Sequence, residues 1–208
     1  SRRGRDAHRA EDHGPGFRTS FPLVEAKFQL PAPHPSTFSR PRLARQLLAE
    51  PRPSTVAIVA PAGYGKTSHA SALAAGDDRP VAWIDVEGAH NDPLVLLTDL
   101  IAALTAVTDF HDDDLNVRGA SPGQYATGVV SALGRAVRSC ASPFVLVLDD
   151  VHRVTDPSAT DLLGAVVSNV PAGSTVLLVG RACRLEALAR QRVDSTVAEI
   201  GADALELE

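Results

Sequence analysis

Five short apolar, β-branched runs punctuate the chain, at 55–60, 81–85, 144–148, 175–179 and 196–200. Most lack the apolar–polar alternation of a half-exposed strand and read as strands buried on both faces. Between them the apolar positions recur at helical spacing. Leu97, Leu100, Ile101 and Leu104 form one stripe, and Val129, Val130, Leu133 and Val137 form another. Three helix starts share one device, a capping residue followed by proline in the first turn: Asp92-Pro93, Ser121-Pro122 and Asp156-Pro157. Strands alternating with helices of this length predict right-handed crossovers and a mostly parallel sheet covered on both sides, a three-layer α/β/α fold.

Outside these elements the pattern changes. Residues 1–20 carry five Arg, three acids, two His and three Gly with almost nothing apolar, so ordering them would cost entropy with little burial in return. A flexible tail is expected; a basic arm touching phosphate is the sharper alternative, diluted by Asp6, Glu11 and Asp12. Prolines at 22, 31, 33, 35, 41, 51 and 53 predict an extended lead-in with one short helix around 43–49. His111, Asp112, Asp113 and Asp114 show no periodicity and read as a solvated loop rather than a metal site.

Composition narrows the function. With 20 Lys and Arg against 25 Asp and Glu, the 208-residue chain has a net charge of −5, which argues against a body that grips nucleic acid directly. No run reaches the roughly 18 to 20 apolar residues of a membrane helix, and a cytoplasmic location with no membrane partner is the expectation. Cys140 and Cys183 are too few for a disulfide scaffold and are expected to be reduced and apart. The chain starts at Ser1 and has no methionine, so a piece of a longer protein is expected.

The chemistry is concentrated at two strand ends. Directly after the first run comes Ala60-Pro61-Ala62-Gly63-Tyr64-Gly65-Lys66-Thr67-Ser68, followed by an alanine-rich helix that stops near Gly76. Triphosphate oxygens need several donors at once, and Gly63 and Gly65 let the backbone N–H groups wrap around them. The following helix N-terminus adds a favourable dipole. Lys66 would reach the β- and γ-phosphates, and the Thr67 hydroxyl would ligate Mg²⁺. Against the phosphate-loop pattern G-x-x-x-x-G-K-S/T, the first glycine is replaced by Ala60.

The third run ends in Asp149-Asp150, the arrangement of a Walker B motif. Two acids at the mouth of a buried strand are costly without a cation or donors to answer them. Asp149 would hold Mg²⁺ opposite Thr67, and Asp150 would orient or deprotonate the attacking water. After the fourth run, Arg181 either senses the γ-phosphate across the crevice at the strand ends or caps a loop. His152 bridges to a neighbouring domain or is satisfied locally. Trp83 reads as core, and Tyr64 as exposed or touching a neighbour.

From Lys27 onward the chain resembles the nucleotide-binding domain of MalT-like regulators, the STAND-class, AAA+-type P-loop ATPases of large LuxR-family transcription factors. The resemblance rests on islands in the same order: Lys27-Phe28-Gln29-Leu30-Pro31, Arg40 ahead of a leucine-bearing helix, the loop from Ala60 to Thr67, Val81-Ala82-Trp83-Ile84-Asp85, Leu148-Asp149-Asp150-Val151-His152, Arg181, and Glu199-Ile200-Gly201-Ala202-Asp203-Ala204-Leu205. It implies a tail over 1–26 and a P-loop domain over 27–208, with a five-stranded parallel sheet in the order 5-1-4-3-2. It also implies that Arg40 helps close the domain around nucleotide. ADP would hold a closed monomer, ATP with an inducer would open it into an oligomer, and slow hydrolysis would reset the switch. DNA would be met only through a C-terminal helix-turn-helix that this chain lacks. Gly180 stands where the family usually has a small hydroxyl residue.

Two rivals share the ATP and Mg²⁺. A small-molecule P-loop kinase needs an arginine-dense lid, and between the acid-rich loop and the third run only Arg118, Arg135 and Arg138 occur. Against a scaffold that holds nucleotide without turnover, the intact Lys66, Thr67, Asp149 and Asp150 argue for a live site, though not against a slow one.

Overall fold

The computed structural model describes residues 30–31, 52–110, 115, 122–194 and 196–205. Arg40, the 43–49 helix, the acid-rich 111–114 stretch and the 1–26 tail lie outside them.

Five parallel strands form one sheet: β1 (Thr55–Val59), β2 (Val81–Asp85), β3 (Val145–Asp149), β4 (Thr175–Gly180) and β5 (Val197–Ile200). Their order is β2-β3-β4-β1-β5, the expected 5-1-4-3-2 read from the other edge. Strand bounds differ from the apolar runs by a residue at most at either end. The crossovers carry α1 (Lys66–Ala75), α2 (Pro93–Val107), α3 (Pro122–Arg138), α4 (Pro157–Ser168) and α5 (Glu186–Val193), and a single turn, α6 (Ala202–Leu205), follows β5.

The unbroken apolar strands are explained by burial on two sides. On one face Ile84, Leu146, Leu148, Val176 and Leu178 pack beneath α2, α3, α4 and α5. On the other, Val56, Ile58, Val145, Val147, Leu177 and Val179 pack with Ala70, Leu73 and Ala74 of α1 and Leu205 of α6. Trp83 belongs to this second layer, as a core residue. Tyr64 differs from expectation: it is half-buried and packs on the same layer of its own chain. The stripe of α2 is rotated slightly, with Leu96, Leu100, Ala103 and Leu104 fully buried and Leu97 and Ile101 only partly so.

The proline starts behave as local chemistry requires. Asp92 accepts from the Leu94 N–H and Asp156 from the Ala159 N–H, each answering a first-turn amide with no helical partner. Cys140 is buried, Cys183 half-buried, and both are free. Burial pushes both thiols up. The lead-in reaches the fold at Leu30 and Pro31, where the buried Ser71 hydroxyl of α1 donates to the Pro31 carbonyl at 2.9 Å. Among the described residues no helix is long and apolar enough to cross a membrane.

Candidate functional site

The order β3-β4-β1 brings the carboxyl ends of three strands side by side, and the loops that leave them carry Asp149-Asp150, Gly180-Arg181 and the glycine loop. At the end of β1 the buried Ala60 donates its N–H to the Gly180 carbonyl at 3.3 Å, tying the loop's first residue to β4. Gly63 and Gly65 both adopt positive φ, +85° and +69°. A Cβ at either would meet no atom within 4 Å, so the loop encloses open space and only the backbone conformation demands glycine there.

Gly65 starts α1 without a side-chain cap, and no acid lies in the first turn. The helix therefore presents free amide donors, the ordinary setting for an anion. The Lys66 side chain is 8% exposed and curls back to donate to the Pro61 carbonyl at 2.8 Å. That contact bridges the loop and points the cation inward. A phosphate replacing the carbonyl would meet a charge already desolvated and aimed.

Asp149 is the buried counterpart, at 5% exposure. Its carboxylate accepts from the Asp150 N–H at 2.8 Å, and the Thr67 hydroxyl beside it favours the charged form. Burial nevertheless pushes its pKa up, and the charges of Asp150 and Asp85 add to the rise. Asp85 was not singled out by sequence, although β2, like β3, ends in an acid. It is the register partner of Asp149 on the neighbouring strand, and the Val86 N–H next to it donates to the Asp149 carbonyl at 2.9 Å.

Asp150 is the one non-glycine at positive φ among the described residues, +56°. It opens a 3₁₀ turn, Val151–Arg153, and its Oδ2 accepts from Nε and pairs with Nη2 of Arg153, each at 3.1 Å. His152 turns inward: its Nδ1 lies 3.7 Å from Asp150 Oδ1 and accepts from the Arg181 N–H at 3.4 Å. Of the two expectations for His152, the local one is met. Arg181 itself is exposed, and among the described residues its guanidinium has no partner.

The donor set suits nucleotide with a hard divalent cation. Thr67 and Asp149 offer oxygen ligands side by side, and among the described residues no group of three or more His, Cys, Asp or Glu could hold a metal by itself. An ion here would take its remaining ligands from phosphate and water, the habit of Mg²⁺. A separate groove of about 800 Å³ between α3, α4 and α5, rimmed by Arg135, Arg138, Arg184 and Arg190, shares no residue with this site.

A family model described as an AAA domain matches residues 49–188, spanning both strand-end motifs and Arg181. The chain belongs to the AAA domain family. Over 185 residues, 88% of its length, this AAA domain is 29% identical to the HTH-type transcriptional regulator MalT of Cronobacter sakazakii, of which it spans 20%. It is thus MalT-like, as the sequence islands implied, and corresponds to about a fifth of such a relative. Among solved structures it is similar to a Signal Transduction ATPase with Numerous Domains that carries a tetratricopeptide repeat sensor, from Pyrococcus horikoshii, with a TM-score of 0.49, 15% identity, and coverage of 88% of this chain and 25% of that one. Membership of this ATPase family implies nucleotide binding.

Proposed function

We propose that this AAA domain is the ATP/ADP switch of a MalT-like, LuxR-family transcriptional regulator, in which slow Mg²⁺-dependent hydrolysis controls oligomerisation. The observation that carries the reading is the pairing of Thr67 with the buried, charge-burdened Asp149, beside an inward-turned Lys66. A buried carboxylate raised by its neighbours is the natural seat for a cation.

In this reading the Ala60–Ser68 loop cradles the phosphates with the amides that follow Pro61, Lys66 binds the β- and γ-phosphates, and Thr67 with Asp149 holds Mg²⁺. Bound Mg²⁺ would neutralise charge on the phosphate oxygens. Asp150 orients the attacking water, Arg181 senses the γ-phosphate, and Arg40 helps close the domain. Arg153 holds Asp150 through Oδ2 alone, which leaves Oδ1 to meet the water. Transcriptional output requires a helix-turn-helix for DNA and a sensor for the inducer, both outside this chain.

The test is titration of purified protein with ATP and ADP, beside Lys66→Ala and Asp150→Asn. A hydrogen bond to a charged group contributes about 1.5–3 kcal/mol, so Lys66→Ala should lose about ten- to a hundredfold in ATP affinity while remaining folded. Asp150→Asn should bind ATP but lose hydrolysis. Light scattering with ATP against ADP reads the oligomer. Unchanged ATP affinity in Lys66→Ala would remove the site; ATP binding with no turnover in the native protein would favour the scaffold.

A further inference from the structure

Asn91 ends the short 3₁₀ turn that leaves β2, Gly88–Asn91, and nothing in its own segment requires the bonds it makes. Its Oδ1 accepts from the Thr155 N–H at 2.8 Å, the Thr155 hydroxyl at 3.1 Å and the Asp156 N–H at 3.0 Å. Its Nδ2 donates to the Arg153 carbonyl at 2.8 Å and the Gly88 carbonyl at 3.2 Å. The amide orientation is fixed by the partners: the two backbone N–H groups can only donate and the two carbonyls can only accept. One half-buried side chain thus takes hold of the polypeptide shortly after Asp150 at three positions, Arg153, Thr155 and Asp156, from more than sixty residues earlier in the chain.

That segment needs an external restraint. Asp150 sits in the left-handed region, a conformation that persists in a residue with a side chain only when its surroundings over-determine it. Within the segment, the Arg153 N–H donates to the Asp150 carbonyl at 2.9 Å and the Arg153 side chain holds the Asp150 carboxylate. Both contacts depend on where the Arg153 backbone lies, and Asn91 fixes its carbonyl. The second anchor is Val86, whose N–H on the Asp149 carbonyl ties the same two loops together close to their strands.

We infer that Asn91 is a positioning residue for Asp150: it clamps the exit of β2 to the exit of β3 and thereby sets the turn that presents the Asp150 carboxylate. Resting on the switch reading above, this predicts that Asn91 governs turnover and leaves nucleotide affinity alone, because none of its partners belongs to the Ala60–Ser68 loop.

The experiment compares the native chain with Asn91→Ala, Asn91→Asp and Thr155→Ala by three readouts: ATP affinity with sites bound per chain, single-turnover hydrolysis, and amide hydrogen exchange. Misplacing a reacting group by about an ångström costs up to about a hundredfold, so Asn91→Ala should lose about ten- to a hundredfold in turnover. Its ATP affinity and stoichiometry should stay within about twofold, which separates positioning from a loss of folded protein. Exchange should quicken at Thr155 and Asp156 and stay unchanged in α1. Asn91→Asp keeps the acceptor but sets an oxygen against the Arg153 and Gly88 carbonyls, so it too should lose turnover at native ATP affinity, and it carries the test if Asn91→Ala fails to fold. Thr155→Ala, which loses only the hydroxyl contact, should match native. Native turnover in Asn91→Ala, or unchanged exchange at Thr155 and Asp156, would overturn the inference. If the native chain binds ATP and never hydrolyses it, the switch reading fails instead, and the exchange rates alone decide whether Asn91 sets the turn.

Discussion

Replacing Asp149 by Asn should stabilise the nucleotide-free domain, although it removes a residue at the centre of the site. The geometry allows the swap with little loss of hydrogen bonding. The Asn oxygen can still accept from the Asp150 N–H, now at 2.8 Å, and the neighbouring Thr67 hydroxyl can accept from the new amide. What leaves is a buried charge facing two others. Asp85 is its register partner, and adjacent strands lie about 5 Å apart. Two unit charges at about 5.5 Å repel by about 3 kcal/mol at an effective dielectric near 20. Asp85 is exposed, so solvent screening reduces that to about 1 kcal/mol. For a domain of this size the gain corresponds to a rise in Tm of about 2–4 °C.

The pH dependence fixes the sign independently. Asp149 titrates above its ordinary value of 3.8 in the folded chain, so between the unfolded and folded values the native state binds the extra proton. Native stability therefore falls as pH rises through that window. The advantage of Asp149→Asn should be full above the folded value and vanish as the solution is acidified toward 3.8. Thermal melts of both proteins from pH 4 to 8, in chelator and low salt, read this directly. A variant that melts at or below the native protein at pH 8, or whose advantage grows toward acid, would refute the electrostatic account. The same variant should lose the gain in ATP affinity that Mg²⁺ confers.

Three further changes probe the scaffold. Gly65→Ala meets no atom within 4 Å, so it should cost only the left-handed backbone, about 1–2 kcal/mol by urea unfolding; a larger loss would mean that packing, not φ, demands the glycine. At Gly180 a new Cβ would lie 3.1 Å from the Ala182 carbonyl and 3.3 Å from His152 N and Nδ1, so Gly180→Ser should destabilise by about 1–3 kcal/mol, despite the small hydroxyl residue usual in the family. Native stability there would mean that β4 and the Asp150 turn do not press together. Asp156→Ala removes the cap on Ala159 N–H at 3.0 Å and should cost about 1 kcal/mol in the same assay, whereas an unchanged midpoint would show the α4 start to be held by other contacts.

Most of the architecture was legible because it follows from short-range rules. A strand buried on two faces has to be continuously apolar, and a capping acid before proline starts a helix whatever lies around it, so the strands of the sheet and the starts of α2 and α4 could be read from Val81–Asp85, Asp92-Pro93 and Asp156-Pro157. The strand order was not of that kind. It came from a family resemblance, since nothing local places β4 between β1 and β3. In the site, residues with a motif stood out and residues with a geometry did not. Lys66 and Asp149 carry their chemistry in their spacing, whereas Asp85 matters through its register with Asp149 and Arg153 through its reach to Asp150. Tyr64 failed for the same reason, because the apolar cluster that half-buries it is assembled only by the fold.

In the proposed switch, the contrast between the two acids of the β3 exit would let one short turn serve both binding and timing. Asp149 ends a strand and is held from below by the ladder and from beside by Thr67, so its position is set by the sheet. Asp150, the next residue, has left the ladder and sits in a backbone state that the chain does not favour by itself. Its carboxylate is answered by Arg153 and approached by His152, and the His152 ring in turn accepts from the backbone of Arg181 after β4. A change at Asn91 would thus reach Asp150 through contacts already made and leave Asp149 and Lys66 in place, whereas the β4 exit touches both the Asp150 turn and, through Gly180 and Ala60, the glycine loop. A domain that had only to hold nucleotide would need the first arrangement; the second is what a switch between bound and turning-over states requires.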